Sequence, residues 1–321
     1  MSDTLLQVKQ LKKHYPIKKG LFKPKASVKA VDDVSFSITR GETFGIVGES
    51  GCGKSTTGRT ILRLHEPTSG QILFDGIDIS ELPYKEMRKI RRRLQMVFQD
   101  PYASLNPKKT IKQILMEPLR VHGLYTQEER YQKVVEIIET VGLHESHLDC
   151  YPHEFSGGQR QRIGIAKAVI LQPDLIIADE PVSALDVSIQ SQVINLLLKL
   201  QKEFKLTYIF ISHDLSVVKH ISDRVAVMYL GKIVELGKTE DLYENPLHPY
   251  TKALLSAEPI RHPDEKRERI ILQGDLPSPV NPPNGCTFHP RCNSCMEICR
   301  TVSPSLITLE NGQSVACHLY K

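Results

Sequence analysis

The sequence predicts an α/β fold built on a largely parallel sheet, and three observations predict it. Short β-rich runs alternate with amphipathic segments between residues 1 and 245, the pattern of strands joined by crossover helices. No internal repeat or low-complexity tract breaks that alternation. Beyond it the composition turns to proline, so the 321 residues divide into a large α/β body and a small C-terminal appendix.

Taken in order, Thr43-Phe-Gly-Ile-Val47 is an apolar run too short for a helix and reads as a buried strand. A glycine-rich turn follows it, then a helix over Ser55–Leu64. Leu94–Phe98 reads as a strand, Gln127–Val141 as an amphipathic helix, Leu175–Ala178 as a strand and Ser188–Phe204 as a helix. Thr207–Ile211 and Arg224–Tyr229 give two more strands. From Glu258 the chain runs Pro-Ile-Arg-His-Pro, and Leu276–Gly285 is again too proline-rich for regular structure, which sets a boundary near residues 245–260.

Composition excludes several classes. With 40% hydrophobic, 25% charged and 6% aromatic residues, the chain has an ordinary soluble makeup and is no disulfide knot or peptide hormone. Its longest apolar stretches, Val193–Leu200 and Tyr208–Ile211, fall far short of the roughly 18 residues that span a bilayer. Met1–Lys25 mixes Leu and Val with many lysines and lacks the apolar core of a secretory signal, so a cytoplasmic location is expected. Lys and Arg total 42 against 37 acidic residues, and this excess of +5 is too small and scattered to indicate nucleic acid. Lysines 9, 12, 13, 18, 19, 23, 25 and 29 and the run Arg88–Arg93 read as solvated faces, the sharper alternative being proximity to anionic lipid or phosphate.

The chemistry begins at Gly48-Glu49-Ser50-Gly51-Cys52-Gly53-Lys54-Ser55, which follows a strand and opens a helix as a phosphate-binding loop must. Its glycines let backbone N–H groups and the positive helix end face a triphosphate. Lys54 supplies a cation for the β- and γ-phosphates, and Ser55 a hydroxyl for Mg²⁺. Leu175-Ile-Ile-Ala-Asp179-Glu180 delivers two carboxylates at the C-terminal edge of a strand, where ligands sit in open α/β sheets. Asp179 is placed to hold Mg²⁺ and Glu180 to polarise the attacking water. Ser156-Gly157-Gly158-Gln159 opens another helix, with Ser156 as a natural N-cap. A second glycine-rich cradle about 100 residues after the first makes sense if it covers the γ-phosphate of a nucleotide on another subunit.

In order and spacing, these motifs with Gln99, Ser183-Ala-Leu-Asp186 and His213 resemble an ABC-type ATPase cassette. The chain is more narrowly similar to the ATP-binding subunits of bacterial oligopeptide and dipeptide importers, specifically the second of their two ATPases. That similarity is carried by Gln99-Asp-Pro-Tyr-Ala-Ser-Leu-Asn-Pro107, Tyr151-Pro-His-Glu-Phe-Ser-Gly-Gly-Gln-Arg-Gln-Arg162, Ile211-Ser-His-Asp-Leu-Ser216, Asn245-Pro-Leu-His-Pro-Tyr250, Pro277-Ser-Pro279 and Phe288-His-Pro-Arg-Cys292. Phe155 stands where the family signature most often has leucine, an apolar exchange that leaves the signature usable.

The resemblance implies a P-loop, RecA-like core at 1–98 and 166–245, an inserted helical subdomain at 99–165 and a C-terminal extension at 246–321. It implies nucleotide contacts from Tyr15 on adenine, from Gly48 through Thr56, and across a head-to-tail dimer from Ser156–Gln159, with Asp186 linking the cassettes. Lys54, Gln99, Glu180 and His213 would be the catalytic set, and Ser55, Gln99 and Asp179 the Mg²⁺ set. The implied activity is ATP hydrolysis that energises peptide import, with a nickel or other small-solute importer as the alternative. Implied partners are a homologous ATPase, two membrane-spanning permease subunits docking near Gln99–Arg120 and, indirectly, an extracytoplasmic binding protein. The implied location is the cytoplasmic face of the membrane. A DNA-repair ABC ATPase would need a coiled-coil insertion that Lys54–Ser156 is too short to hold, and a translation factor normally carries two cassettes in one chain.

Five of the seven cysteines, Cys286, Cys292, Cys295, Cys299 and Cys317, lie beyond residue 285, and in a reducing compartment such a cluster suggests metal. Cys292-x2-Cys295-x3-Cys299 has iron–sulfur-like local spacing. The family resemblance instead selects Cys286, Cys292, Cys299 and Cys317, and a [4Fe–4S] centre on that set is the expectation, with structural Zn²⁺ as the alternative.

Overall fold

The structure, a computed structural model, describes residues 3–17, 26–257 and 269–320. Lys18, Lys19, Lys23 and Lys25 of the basic run, and the Glu258–Pro263 stretch of the expected boundary, lie outside the described residues. The strands are β1 (Thr4–Ile17), β2 (Ala26–Thr39), β3 (Thr43–Val47), β4 (Ser69–Phe74), β5 (Ile77–Asp78), β6 (Leu94–Val97), β7 (Leu175–Asp179), β8 (Thr207–Ile211), β9 (Arg224–Tyr229), β10 (Lys232–Lys238), β11 (Ile307–Thr308) and β12 (Ser314–Val315). The helices are α1 (Lys54–Ile61), α2 (Tyr84–Arg93), α3 (Pro101–Ser104), α4 (Ile111–Val121), α5 (Gln127–Thr140), α6 (Gly157–Val169), α7 (Val187–Phe204), α8 (Leu215–Ile221), α9 (Thr239–Glu244), α10 (Pro249–Ser256) and α11 (Glu297–Thr301).

Two compact units result, one of Met1–Ile38, Thr43–Glu81 and Ser212–Lys321, the other of Thr39–Glu42 and Leu82–Ile211. In the first, β3 pairs in parallel with β9, and β10, β12 and β11 extend the array antiparallel beyond β9. Every residue of β3 is buried, as the unbroken apolar run predicts.

This unit also holds an antiparallel sheet in the order β2-β1-β4-β5, which the alternation of the sequence did not reveal. Leu5, Leu6, Val8 and Leu11 of β1 are buried, but a bulge between Lys9 and Lys12, with Gln10 at φ 47°, breaks the period of two. Lys13 lies over the Tyr15 ring at 4.8 Å and donates to the Glu66 carbonyl, so part of the basic run is engaged locally.

In the second unit β6, β7 and β8 run parallel, with Asp179 opposite Ile211 at the ends of β7 and β8. Between β6 and β7 the chain is helical and forms no strand. Thr110 and Thr126 close capping boxes on α4 and α5, each accepting from a backbone N–H while the Gln113 or Glu129 side chain accepts from the cap N–H. Their apolar faces, including Ile114, Leu115, Val134 and Ile138, bury against one another. Among the described residues no helix is long and apolar enough to cross a membrane.

Candidate functional site

The Gly48–Ser55 loop is shaped by two glycines whose positive φ and close backbone neighbours leave no room for a Cβ. Gly48 has φ 148°, and a Cβ there would stand 2.2 Å from the Met228 carbonyl oxygen. Gly53 has φ 107°, and its Cβ would stand 2.1 Å from the Ala30 carbonyl oxygen. The loop is thus pressed against backbone on two sides.

Gly53 is the N-cap of α1 and offers no side-chain acceptor, so the amides of the first turn are not capped by a side chain. Lys54, 4% exposed, donates from Nζ to the carbonyls of Gly48 at 2.8 Å and Glu49 at 3.1 Å, which holds its ammonium at the loop. Ser55 and Thr56 are half-buried on the same turn, Ser50 is exposed, and Cys52 is buried with its thiol pKa pushed up by that burial. Tyr15 is half-buried, its ring edge-on to His65 at 5.9 Å. His213 is exposed just before Asp214, whose carboxylate caps α8 by accepting from the Ser216 and Val217 amides.

In the second unit β7 carries Asp179 to full burial and then turns sharply. Glu180 has φ 48°, a left-handed conformation that a β-carbon disfavours by roughly 1–3 kcal/mol and that surrounding contacts must hold. Its N–H donates to the Ile211 carbonyl at 2.9 Å, and its own carbonyl accepts from Ser183 Oγ at 3.1 Å. Gln99 Nε2 donates to Glu180 Oε2 at 2.9 Å, so two residues separated by 81 positions meet head to head.

Ser156 and Gln159 form a capping box at the start of α6, Oγ accepting from the Gln159 amide and Oε1 from the Ser156 amide. A Cβ on Gly158 would stand 2.5 Å from Ile189 Cγ2, so glycine is needed there for close packing on α7. Ser156, Gly157, Asp186 and Val187 are exposed, Val187 to 77%.

Residues 31–183 match the ABC transporter family, and residues 234–299 match the oligopeptide/dipeptide transporter C-terminal region. The oligopeptide transport ATP-binding protein AppF of Bacillus subtilis (strain 168) is 61% identical over 99% of this chain and 98% of its own. This chain belongs to the ABC transporter ATPases. The putative oligopeptide transport ATP-binding protein YkfD of the same organism is 57% identical, over 99% of this chain and 96% of its own. Among solved structures, the dimeric ATP-binding cassette MJ0796 bound to ADP and Pi superposes with TM-score 0.65 at 32% identity, covering 73% of this chain and 99% of that one.

The C-terminal extension of this ABC ATPase is anchored by Phe288, which is 1% exposed and packs its ring against Tyr229, Tyr250 and His248 at 5.2, 5.4 and 5.5 Å. The next turn brings Arg291 onto Glu49 of the Gly48–Ser55 loop in a two-pronged ion pair. Tyr250 Oη accepts the Glu49 N–H at 2.9 Å. The sequence contains both residues within its family-like motifs, His-Pro-Tyr250 and His-Pro-Arg291, but their contact with Glu49 was not foreseen because it joins segments 201 and 242 positions away.

Cys286, Cys292, Cys299 and Cys317 are the cysteines expected to hold a metal. Cys286, Cys292, Cys299 and Cys317 do gather: burial pushes the Cys286 thiol up to about 11, and the neighbouring cysteines add to that rise. Burial and neighbouring cysteines push Cys292 and Cys317 up in the same way. Yet among the described residues no group of three or more His, Cys, Asp or Glu side chains is placed to hold a metal ion, so the thiols as positioned do not form a ligand set. All seven cysteines are free thiols.

Proposed function

We propose that this ABC ATPase energises the import of oligopeptides or dipeptides from the cytoplasmic face of a membrane, as a peripheral subunit bound to two permease subunits. The observation that carries the reading is whole-chain similarity at 61% identity to an oligopeptide transport ATP-binding protein, with the transporter-specific C-terminal region present at 234–299.

The domain reading keeps 1–98 and 166–245 as the RecA-like core, 99–165 as the helical subdomain and 246–321 as the extension. It is supported by the absence of any strand between β6 and β7. The phosphates are assigned to Gly48–Thr56 and adenine to Tyr15. Ser55, Asp179 and Gln99 offer hard oxygen donors of the kind Mg²⁺ takes, and the ion would neutralise phosphate charge. Glu180 orients and deprotonates the attacking water, its carboxylate held in place by Gln99 until substrate arrives. His213 and Lys54 complete the catalytic set.

The exposed Ser156–Gly157 corner and Asp186 suit a head-to-tail partner cassette, read here as a second, homologous ATPase. For the tail we keep a [4Fe–4S] centre on Cys286, Cys292, Cys299 and Cys317, or Zn²⁺ in its place. Its support is their gathering in the fold, and ligation requires the sulfurs to close in further.

The test is reconstitution of this chain with its permease subunits and ATPase partner in vesicles, scored by peptide uptake and peptide-stimulated ATP hydrolysis. Uptake dependent on ATP and on this chain supports the reading. A complex that hydrolyses ATP but moves no peptide overturns the cargo, and one holding two copies of this chain and no second ATPase overturns the heterodimer.

A further inference from the structure

A phosphate-binding loop that carries a carboxylate has an electrostatic difficulty. Glu49 sits in the loop beside Gly48 and Lys54, and its negative charge opposes the polyanion the loop must accept. The structure supplies a counter-charge from far along the chain. Arg291 Nη1 donates to Glu49 Oε2 at 2.8 Å and Nη2 to Oε1 at 3.1 Å, a bidentate pair whose side chains are 9% and 26% exposed.

The arginine has little freedom. It ends the His289–Arg291 turn, its N–H donates to the Phe288 carbonyl at 3.0 Å, and Phe288 is locked in the aromatic cluster with Tyr229 and Tyr250. The phenol of Tyr250, 0% exposed, accepts the Glu49 N–H and fixes the same residue by its backbone. Glu49 is therefore held at both ends while its carbonyl accepts from Lys54 Nζ. No assigned role of the loop requires such a clamp from outside the cassette motifs.

We propose that Arg291 is a positioning residue for nucleotide binding: from the C-terminal cysteine segment it tethers and neutralises the Glu49 carboxylate, so that the phosphate-binding loop accepts a triphosphate. The turn ends immediately before Cys292, so the extension acts on the loop directly, and its folding sets the affinity for ATP. The inference rests on the reading that Gly48–Thr56 hold the phosphates.

The experiment is calorimetric titration of the full chain with ATP, ADP and AMP, using Arg291→Gln, Glu49→Gln, the double variant and Lys54→Ala. Arg291→Gln leaves a lone carboxylate at the loop and is expected to weaken ATP binding about 10-fold, with smaller losses for ADP and smaller still for AMP. Glu49→Gln frees the guanidinium and is expected to bind ATP about threefold more tightly. The double variant, with neither charge, should return to within about threefold of the parent. A double variant as weak as Arg291→Gln, an equal loss for AMP and ATP, or parental affinity in Arg291→Gln overturns the proposal. Should Arg291→Gln fail to fold, Glu49→Gln decides alone, since weaker ATP binding there contradicts it. Lys54→Ala tests the underlying reading separately: undiminished ATP binding in that variant removes the loop as the phosphate site, whatever the other variants show.

Discussion

Gln99 and Glu180 share a 2.9 Å hydrogen bond, the amide nitrogen of one donating to a carboxylate oxygen of the other. Gln99 lies shortly beyond β6 and Glu180 directly beyond β7, and these strands pair in parallel from Leu94–Leu175 to Val97–Ala178. The register of two strands therefore sets the separation of the two side chains. Because Glu180 also takes a left-handed backbone, its carboxylate is aimed by the fold as well as by its partner.

From that arrangement, Glu180→Gln keeps the shape and an oxygen that can accept from Gln99 but removes the carboxylate proposed as the base. ATP binding measured by titration should stay within about threefold of the parent, while hydrolysis by the assembled transporter falls by about 10²–10⁴. Unchanged turnover with the partner's site also inactivated would show that the carboxylate takes no part in the reaction.

Packing of α6 on α7 gives a second expectation. Gly158→Ala places a Cβ 2.5 Å from Ile189 Cγ2, and the collision should destabilise the chain by about 1–3 kcal/mol in urea unfolding. Adding Ile189→Ala removes the obstructing methyl and should recover part of that loss relative to Ile189→Ala alone. Additive losses would mean that the clash is absorbed elsewhere.

The third concerns pH. Burial, aided by Lys252, pushes His248 down to about 3 from an ordinary 6.5, so the folded chain keeps the ring neutral with Nδ1 accepting from the Tyr250 amide. Below about pH 6.5 the unfolded chain takes up a proton that the fold refuses. His248 thus contributes stability that is full above that pH and is lost as pH falls toward 3, by at most roughly 1.4 kcal/mol per unit. Nearby Glu235, whose carboxyl burial pushes up, works in the opposite sense as pH falls. His248→Asn, which retains an acceptor for the cap, should flatten the acid side of the stability profile, and an unchanged slope would remove His248 as the cause.

Metal analysis is the fourth. Protein isolated without oxygen should carry iron and acid-labile sulfide, about four of each per chain for one cluster, and Cys286→Ser should lose both. Zinc without iron rejects the cluster, and neither metal rejects any centre at the tail.

Much of this protein was legible in the sequence because its motifs are local. The strand, loop and helix around Lys54 need only a buried apolar run, glycines where φ turns positive, and an unobstructed helix start, and all three are written within Thr43–Ile61. Ser156 as the N-cap of α6 is equally visible, its acceptor serving an amide only three positions on. The antiparallel sheet of β1, β2, β4 and β5 was not legible, since the bulge at Gln10 and the lysines of β1 hide the period that marks a strand. Tertiary structure alone decided which distant groups meet: Gln99 with Glu180 through strand register, and Arg291 and Tyr250 with Glu49 through burial of Phe288. A sequence states the charge of Glu49, but what balances that charge depends on which side chain the packed core brings within hydrogen-bonding reach.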